Sequence, residues 1–181
     1  MQHAYDEHLA ENRYYDRHFQ IDAAKILPGE YFVSNNGMLL VTVLGSCVAA
    51  CIRDVDSGLG GMNHFMLPDD GRRDTVGTSA RYGTYAMEIL INHLLKMGAR
   101  RNRLEAKVFG GGAVLESLSS SNVGARNAEF VLDYLKTEKI PIVAKDLRRT
   151  FVLSYTKRPA METQRVHRSM PKGLSAKTAP M

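Results

Sequence analysis

The chain has 181 residues, of which 44% are apolar and 24% are charged, and its formal net charge is +5. That length suits one domain with tails, and neither a membrane helix nor a signal peptide is indicated, so we expect a cytoplasmic protein. Residues 148–181 hold eight Lys or Arg and one acid, so the positive charge belongs to the tail and no nucleic-acid-binding groove across the body is indicated.

Composition divides the chain into three regions. Residues 1–22 are a polar N-terminal extension, expected to be a short helix or mobile, and residues 23–156 are a single domain. Residues 157–181 are basic and lack periodicity, which is typical of a disordered tail. Asn35-Asn36-Gly37 is a hairpin-type signal near the start of the domain.

The domain alternates predicted strands with two predicted helices. Apolar and β-branched runs predict strands over 38–43, 48–52, 104–109, 140–144 and 150–155. Apolar residues at helical spacing predict helices over 79–97 and 124–138. Because the first strands follow one another without a helix between them, the pattern favours an α/β fold of the α+β kind. We expect a layered mixed β-sheet sandwich with two main helices.

Both cysteines lie in one short stretch, at Cys47 and Cys51. Two cysteines four residues apart make no disulfide framework, and a cytoplasmic thiol is normally reduced. A free cysteine in an apolar segment is most often a small buried side chain, and we assign Cys51 to the core for that reason. Cys47 differs because it follows Gly45 and Ser46, which leave room for a substrate to approach the sulfur.

His64 follows Cys47 after a glycine-rich turn at 56–61. Two adjacent antiparallel strands would bring the imidazole level with the thiol and supply the base that a nucleophilic cysteine needs. A hydrogen-bonded core histidine is an equally good interpretation of this spacing alone. No metal or cofactor is indicated, because metal-ligand spacings are lacking and Gly110-Gly111-Gly112 does not fit a phosphate-binding pattern.

The stretch LGSCVAACIRD, followed by GGMNHFMLP, resembles the CheD family of chemoreceptor glutamine deamidases in bacterial chemotaxis. The similarity continues in AKILPGEYFVS, in RYGTYAMEILINHLLKMGARRNRLEAKVFGGGAVL and in NVGARNAEFVLDYLKTEKIPIVAKDL, over about residues 23–147. The resemblance implies a sandwich similar to toxin deamidases and papain-like cysteine hydrolases. It also implies hydrolysis of selected glutamine side chains of methyl-accepting chemotaxis receptors to glutamate, without a cofactor.

The resemblance further implies a cysteine–histidine–threonine arrangement. Cys47 and His64 match its first two members, and Thr42 is the threonine just upstream of the cysteine. The thiolate would attack the glutamine amide carbon, release ammonia and leave a thioester for water to hydrolyse. The same route would hydrolyse a receptor glutamyl methyl ester.

Three further residues are expected in the active-site loop. Gly45, Ser46 and Asn63 flank the predicted catalytic residues in the sequence. Backbone N–H groups near Ser46 and Cys47 are expected to hold the oxyanion that forms during attack.

Other function classes remain open at this point. A non-catalytic chemotaxis adaptor would bind receptors or a CheC-type phosphatase through the same fold, without enhanced reactivity at Cys47. A general cysteine protease would cleave the receptor backbone instead. The basic tail over 157–181 could contact acidic receptor or membrane surfaces, although a solvated end is the commoner use of such a composition. Neither nucleic-acid binding nor membrane insertion is expected.

Overall fold

A computed structural model describes residues 8–67, 76–112, 123–149, 151–156 and 165–168. Its strands are, in chain order, β1 (Arg13–Asp16), β2 (Ile21–Lys25), β3 (Tyr31–Ser34), β4 (Leu39–Leu44), β5 (Val48–Asp54), β6 (Gly60–Asn63), β7 (Leu104–Gly111), β8 (Ile142–Arg149), β9 (Phe151–Thr156) and β10 (Arg165–Arg168). Its helices are α1 (Val76–Lys96) and α2 (Val123–Thr137), with a short 3-10 helix at Arg101–Arg103.

The strands form two mixed five-stranded sheets. Sheet I has the order β3-β6-β5-β7-β8, and sheet II has the order β1-β2-β4-β9-β10. In sheet I, β7 and β8 run parallel and the other described neighbours run antiparallel. In sheet II, β2 and β4 are the parallel pair. The mixed sheets and the two helices confirm the layered α+β fold that the sequence predicted.

Sheet I is covered on both faces. Val48, Ala50 and Ile52 of β5 pack in an apolar cluster with residues of both helices. Ala49 and Cys51, which lie between them, pack in a second cluster with side chains of sheet II. Because successive strand residues point to opposite faces, the helices cover one face of sheet I and sheet II covers the other. The chain therefore has three layers, and Cys51, 2% exposed, lies in the core as predicted.

The N-terminal segment contributes strands that the sequence did not predict. Arg13–Asp16 forms β1, which pairs antiparallel with β2, so the helical or mobile state expected there is wrong. The sheet thus begins upstream of residue 23, where composition placed the start of the domain. Periodicity missed β2 because alanines fill its buried positions, and alanine has low strand propensity. Residues 1–7 and most of 157–181 lie outside the described residues.

The Asn35-Asn36-Gly37 turn does not close a hairpin. It joins β3 to β4, and these two strands belong to different sheets. Gly37 has a φ of 75°, as expected of a glycine in a turn, but the chain crosses between layers there. After this crossing the chain forms β4 in sheet II, and residues 45–47 then lead it back to sheet I.

A buried carboxylate fixes the turn between β5 and β6. Asp54 is 1% exposed, and it accepts hydrogen bonds from the backbone N–H groups of Asp56, Ser57 and Arg100 at 2.7–2.9 Å. Burial alone would raise the pKa of Asp54, but these backbone hydrogen bonds outweigh it and lower the pKa to about 2. The ionised carboxylate therefore stabilises the folded state.

We expect Asp54→Asn to lower the free energy of unfolding at pH 7 by about 2 kcal/mol. The Asp54 pKa falls from 3.8 to about 2 on folding, so its contribution is complete above the unfolded value and disappears as the pH falls through the folded value. The difference between wild type and variant, measured by urea denaturation, should therefore shrink between about pH 5 and pH 2.

Asp56→Asn is the matched control for this change. Asp56 forms a surface ion pair with Arg103, and such pairs contribute little, so the control should change stability by less than about 0.5 kcal/mol. A loss in Asp54→Asn that stays constant down to pH 2 would contradict the assignment.

Candidate active site

Cys47 lies where the chain passes from one sheet to the other. Residues 45–47 connect the end of β4 in sheet II to the start of β5 in sheet I. The thiol is half-buried and packs at the edge of the apolar cluster between the sheets. The small residues Gly45 and Ser46 lie immediately before it, as the sequence analysis required.

His64 follows β6 directly and shares a sheet face with Cys47. Val48 and Phe65 exchange both backbone hydrogen bonds at 3.0 Å, which extends the β5–β6 pairing to this end of the strands. In that register Cys47 and His64 are diagonal neighbours on the face toward sheet II, where such pairs lie about 7–8 Å apart at the backbone. The two residues thus flank adjacent antiparallel strands, with Cys47 before β5 and His64 after β6, and the imidazole is offset by two residues from the level position expected.

Thr42 approaches His64 from the opposite sheet. It lies on β4, is fully buried, and its Oγ1 is 2.8 Å from Nδ1 of His64. The same Oγ1 donates its hydrogen to the carbonyl oxygen of Ile26 at 2.7 Å. Because a hydroxyl has only one hydrogen, Nδ1 must be the donor to Oγ1. A neutral imidazole then keeps its lone pair on Nε2, which is buried and has no hydrogen-bond partner among the described residues.

Burial sets the protonation states of the two reactive groups. It raises the pKa of the Cys47 thiol above its ordinary value, an effect that the residue's own backbone N–H partly offsets. It lowers the pKa of His64 below 6.5, and the Ile26 carbonyl partly offsets that shift. At neutral pH the site therefore holds a neutral thiol and a neutral imidazole, which suits proton transfer during attack.

The carbonyl groups of residues 45–47, which form the cysteine turn, all accept hydrogen bonds from other parts of the fold. The donors are the Gly112 N–H to the Gly45 carbonyl at 2.7 Å, the Asn127 Nδ2 to the Ser46 carbonyl at 2.8 Å and the Gly111 N–H to the Cys47 carbonyl at 2.7 Å. Within the described part of the chain, neither the N–H of Ser46 nor the N–H of Cys47 donates to another residue. These two N–H groups are free to bind an oxygen atom of a ligand.

The structure does not bring the Asn63 side chain to this site. Its Oδ1 accepts the Ala50 N–H at 3.0 Å, and its Nδ2 donates to the Ala86 carbonyl at 2.8 Å. Successive residues at the end of β6 point to opposite faces, so His64 faces sheet II whereas Asn63 faces α1. Asn63 therefore links sheet I to α1.

Asn127 is the polar contact that the sequence analysis missed. It lies on α2, is fully buried, and touches both the Ser46 carbonyl and the Leu67 N–H. The available signal was its position one helical turn before the core residue Val131, on the apolar face of the predicted helix. A polar side chain on such a face needs partners elsewhere in the fold.

A cleft of about 20 Å³ lies beside His64, between β3 and α1, with His8, Glu30, Tyr82 and Tyr85 on its walls. That volume accommodates roughly one water molecule. No group of three or more metal-ligating side chains occurs in the described ranges, and no described helix is long and apolar enough to cross a membrane.

Comparison with known proteins gives a consistent set of matches. The family model described as CheD chemotactic sensory transduction matches residues 66–158. The probable chemoreceptor glutamine deamidase CheD 1 of Dechloromonas aromatica (strain RCB) is 84% identical over 147 residues, which cover 81% of this chain and 73% of that protein. The probable chemoreceptor glutamine deamidase CheD of Janthinobacterium sp. (strain Marseille) is 68% identical over 143 residues, 78% of this chain and 70% of that protein.

The chain also shows a weak overall similarity to a solved structure. The crystal structure of the Bacillus licheniformis hypothetical protein YfiH has a TM-score of 0.42 and 12% identity, and the match covers 64% of this chain and 49% of that one.

We expect iodoacetamide to alkylate Cys47 more than about tenfold faster than Cys51, because Cys47 is half-buried whereas Cys51 is enclosed in the core. Because burial raises the Cys47 pKa, the rate should keep rising with pH beyond neutrality, without the early plateau of a low-pKa thiolate. Peptide mass spectrometry over time measures both rates. Unfolding in urea should equalise them, and faster labelling of Cys51 in the folded protein would contradict the site.

Proposed function

The chain belongs to the CheD family, as the motifs around Cys47 and His64 predicted, and from this premise we propose that it deamidates selected glutamine side chains of chemoreceptors to glutamate. The observation that carries the proposal is the 2.8 Å hydrogen bond between Thr42 and His64. It leaves Nε2 of a neutral imidazole available on the sheet face that also carries Cys47. The relatives' names supply the substrate class, and the arrangement of the residues supplies the chemistry.

The proposed reaction begins with attack by sulfur. Nε2 of His64 takes the thiol proton of Cys47 while the sulfur forms a bond to the amide carbon of a receptor glutamine. The carbon–oxygen double-bond electrons move to the oxygen, and the N–H groups of Ser46 and Cys47 stabilise the resulting oxyanion. Thr42 and the Ile26 carbonyl hold the imidazolium through Nδ1 during this step.

The second half of the reaction releases both products. The imidazolium of His64 protonates the amide nitrogen, the carbon–nitrogen bond breaks, and ammonia leaves a thioester on Cys47. His64 then takes a proton from water, whose oxygen attacks the thioester carbon. The carbon–sulfur bond breaks, the imidazolium returns its proton to the sulfur, and a glutamate side chain is released. A glutamyl methyl ester would follow the same route with methanol as the leaving group.

The surroundings of Cys47 support a protein substrate. The thiol is half-buried and lies at the edge of the apolar layer between the sheets. Met66, which is 44% exposed, adds apolar surface beside it. Met66 lies opposite Cys47 in the strand register and contacts Ser46. A glutamine side chain that projects from a receptor segment could reach such a site in the cytoplasm, the location expected from the sequence.

The central test replaces the nucleophile and compares it with the second cysteine. The cytoplasmic domain of a receptor from the same organism is incubated with wild type, Cys47→Ala or Cys51→Ala, and its peptides are analysed by mass spectrometry. Wild type and Cys51→Ala should convert glutamine to glutamate, because Cys51 only packs in the core. Cys47→Ala should fold normally and convert none.

The other outcomes of this experiment are equally informative. Conversion by Cys47→Ala would end the thioester mechanism. Binding without conversion by wild type would favour the adaptor alternative, and cleavage of the receptor backbone would favour a protease.

A second test concerns the proton on His64. We expect Thr42→Val to lower kcat about 10–100-fold, because Nδ1 loses the acceptor that fixes the imidazole tautomer. Thr42→Ser retains the hydroxyl and should recover most of the activity. In wild type, kcat/KM should fall only below pH 6.5, the ordinary histidine value, because burial lowers the His64 pKa. Equal activity of the valine and serine variants would exclude this role for the hydroxyl.

A further inference from the structure

We propose that Asn127 is a positioning residue, which orients the cysteine turn so that its free N–H groups form the oxyanion site. This inference rests on the proposed function and goes beyond it, because Asn127 lies outside the cysteine–histidine–threonine arrangement. It is 81 positions away from Ser46 in the sequence, on a helix of a different layer.

Both polar atoms of the Asn127 amide are used in the contact. Nδ2 donates to the Ser46 carbonyl at 2.8 Å, and Oδ1 accepts the Leu67 N–H at 2.9 Å. Ser46 lies directly before the proposed nucleophile, and Leu67 lies three residues after the proposed base. One side chain therefore links the two segments whose separation determines whether thiol and imidazole can exchange a proton.

Glycines at the end of β7 hold the other two carbonyls of the cysteine turn. The N–H groups of Gly111 and Gly112 hold the carbonyls on either side of the one that Asn127 holds. Gly110 has a φ of 103°, and a Cβ there would lie 2.3 Å from the Cys47 carbonyl oxygen, so only glycine permits this approach. A Cβ on Gly124 of α2 would lie 2.6 Å from the Gly111 carbonyl oxygen, so α2 also approaches closely enough for Asn127 to reach Ser46.

The orientation of the carbonyls determines the orientation of the N–H groups. In an extended or turning backbone, the carbonyl of one residue and the N–H of the next belong to one planar peptide unit and point in opposite directions. The Ser46 carbonyl and the Cys47 N–H share such a unit. Holding the Ser46 carbonyl toward α2 therefore turns the Cys47 N–H away from α2, toward the side of the thiol, where the oxyanion would form.

Asn127→Ala should lower kcat for receptor deamidation about 10–100-fold with little change in KM, because the oxyanion donors lose their orientation. Cys47 alkylation by iodoacetamide needs no oxyanion site, so its rate should stay within about twofold of wild type. Asn127→Asp keeps an acceptor for the Leu67 N–H but places an oxygen against the Ser46 carbonyl. It should therefore lose at least as much kcat as the alanine variant.

Val131→Ala is the matched control for lost stability. Val131 lies one helical turn further along α2, is fully buried in the cluster between α2 and sheet I, and has no polar side-chain atom to hold the turn. It should lower the thermal midpoint but keep the kcat of wild type. Hydrogen exchange at Gly111 and Gly112, whose N–H groups bond to the turn, should accelerate in Asn127→Ala more than in Val131→Ala.

Each outcome decides between the two proposals. Wild-type kcat in Asn127→Ala, an equal loss of kcat in Val131→Ala, or a parallel loss of kcat and alkylation would overturn the positioning role. If wild type converts no receptor glutamine, the proposed function fails. In that case hydrogen exchange still tests whether Asn127 holds the turn. Equal exchange rates of Gly111 and Gly112 in Asn127→Ala and Val131→Ala would show that it does not.

Discussion

The hydrogen bond between Thr42 and His64 is the interaction on which the organisation of the site depends. Its two partners come from different sheets, so it forms only when β4 of sheet II packs against the end of β6 in sheet I. The Ile26 carbonyl takes the hydroxyl hydrogen and thereby assigns the imidazole proton to Nδ1. The packing of the two sheets therefore determines which imidazole tautomer of His64 forms, and in that tautomer Nε2 can accept a proton.

The same layered packing explains why the proposed nucleophile lies in a connection. A chain that crosses from sheet II to sheet I must pass the open edge of the space between them, and Cys47 lies at that passage. There the sulfur contacts apolar side chains on its inner side and remains accessible on its outer side. Partial burial favours the protonated thiol, so the proposed attack depends on the adjacent base and on preorganised donors. This differs from a permanently ionised thiolate.

The sequence predicted the parts of this arrangement that are local or carried by motifs. The strand around Cys51 and both helices follow from apolar periodicity. The pairing of Cys47 with His64 was predicted from the resemblance to the CheD family, because their interval alone fits a core histidine equally well. The strands β1 and β2 could not be predicted in this way, because their place depends on pairing with β4 rather than on a pattern of their own. The Asn35-Asn36-Gly37 turn shows the same limit, since turn chemistry does not specify the sheet that the next strand joins.

The two buried asparagines show that proximity in sequence does not determine which side chain reaches the site. Asn63 is adjacent to His64, but strand alternation turns its amide to the helix side, where the Ala50 N–H and the Ala86 carbonyl use it. Asn127 is distant in sequence, yet the fold brings its amide to the Ser46 carbonyl. Backbone N–H groups belong to every residue, so an oxyanion site has no composition of its own. In the proposed site, distant donors hold the neighbouring carbonyls and so orient these N–H groups, and one of those donors, Asn127, is in place only when α2 packs on sheet I.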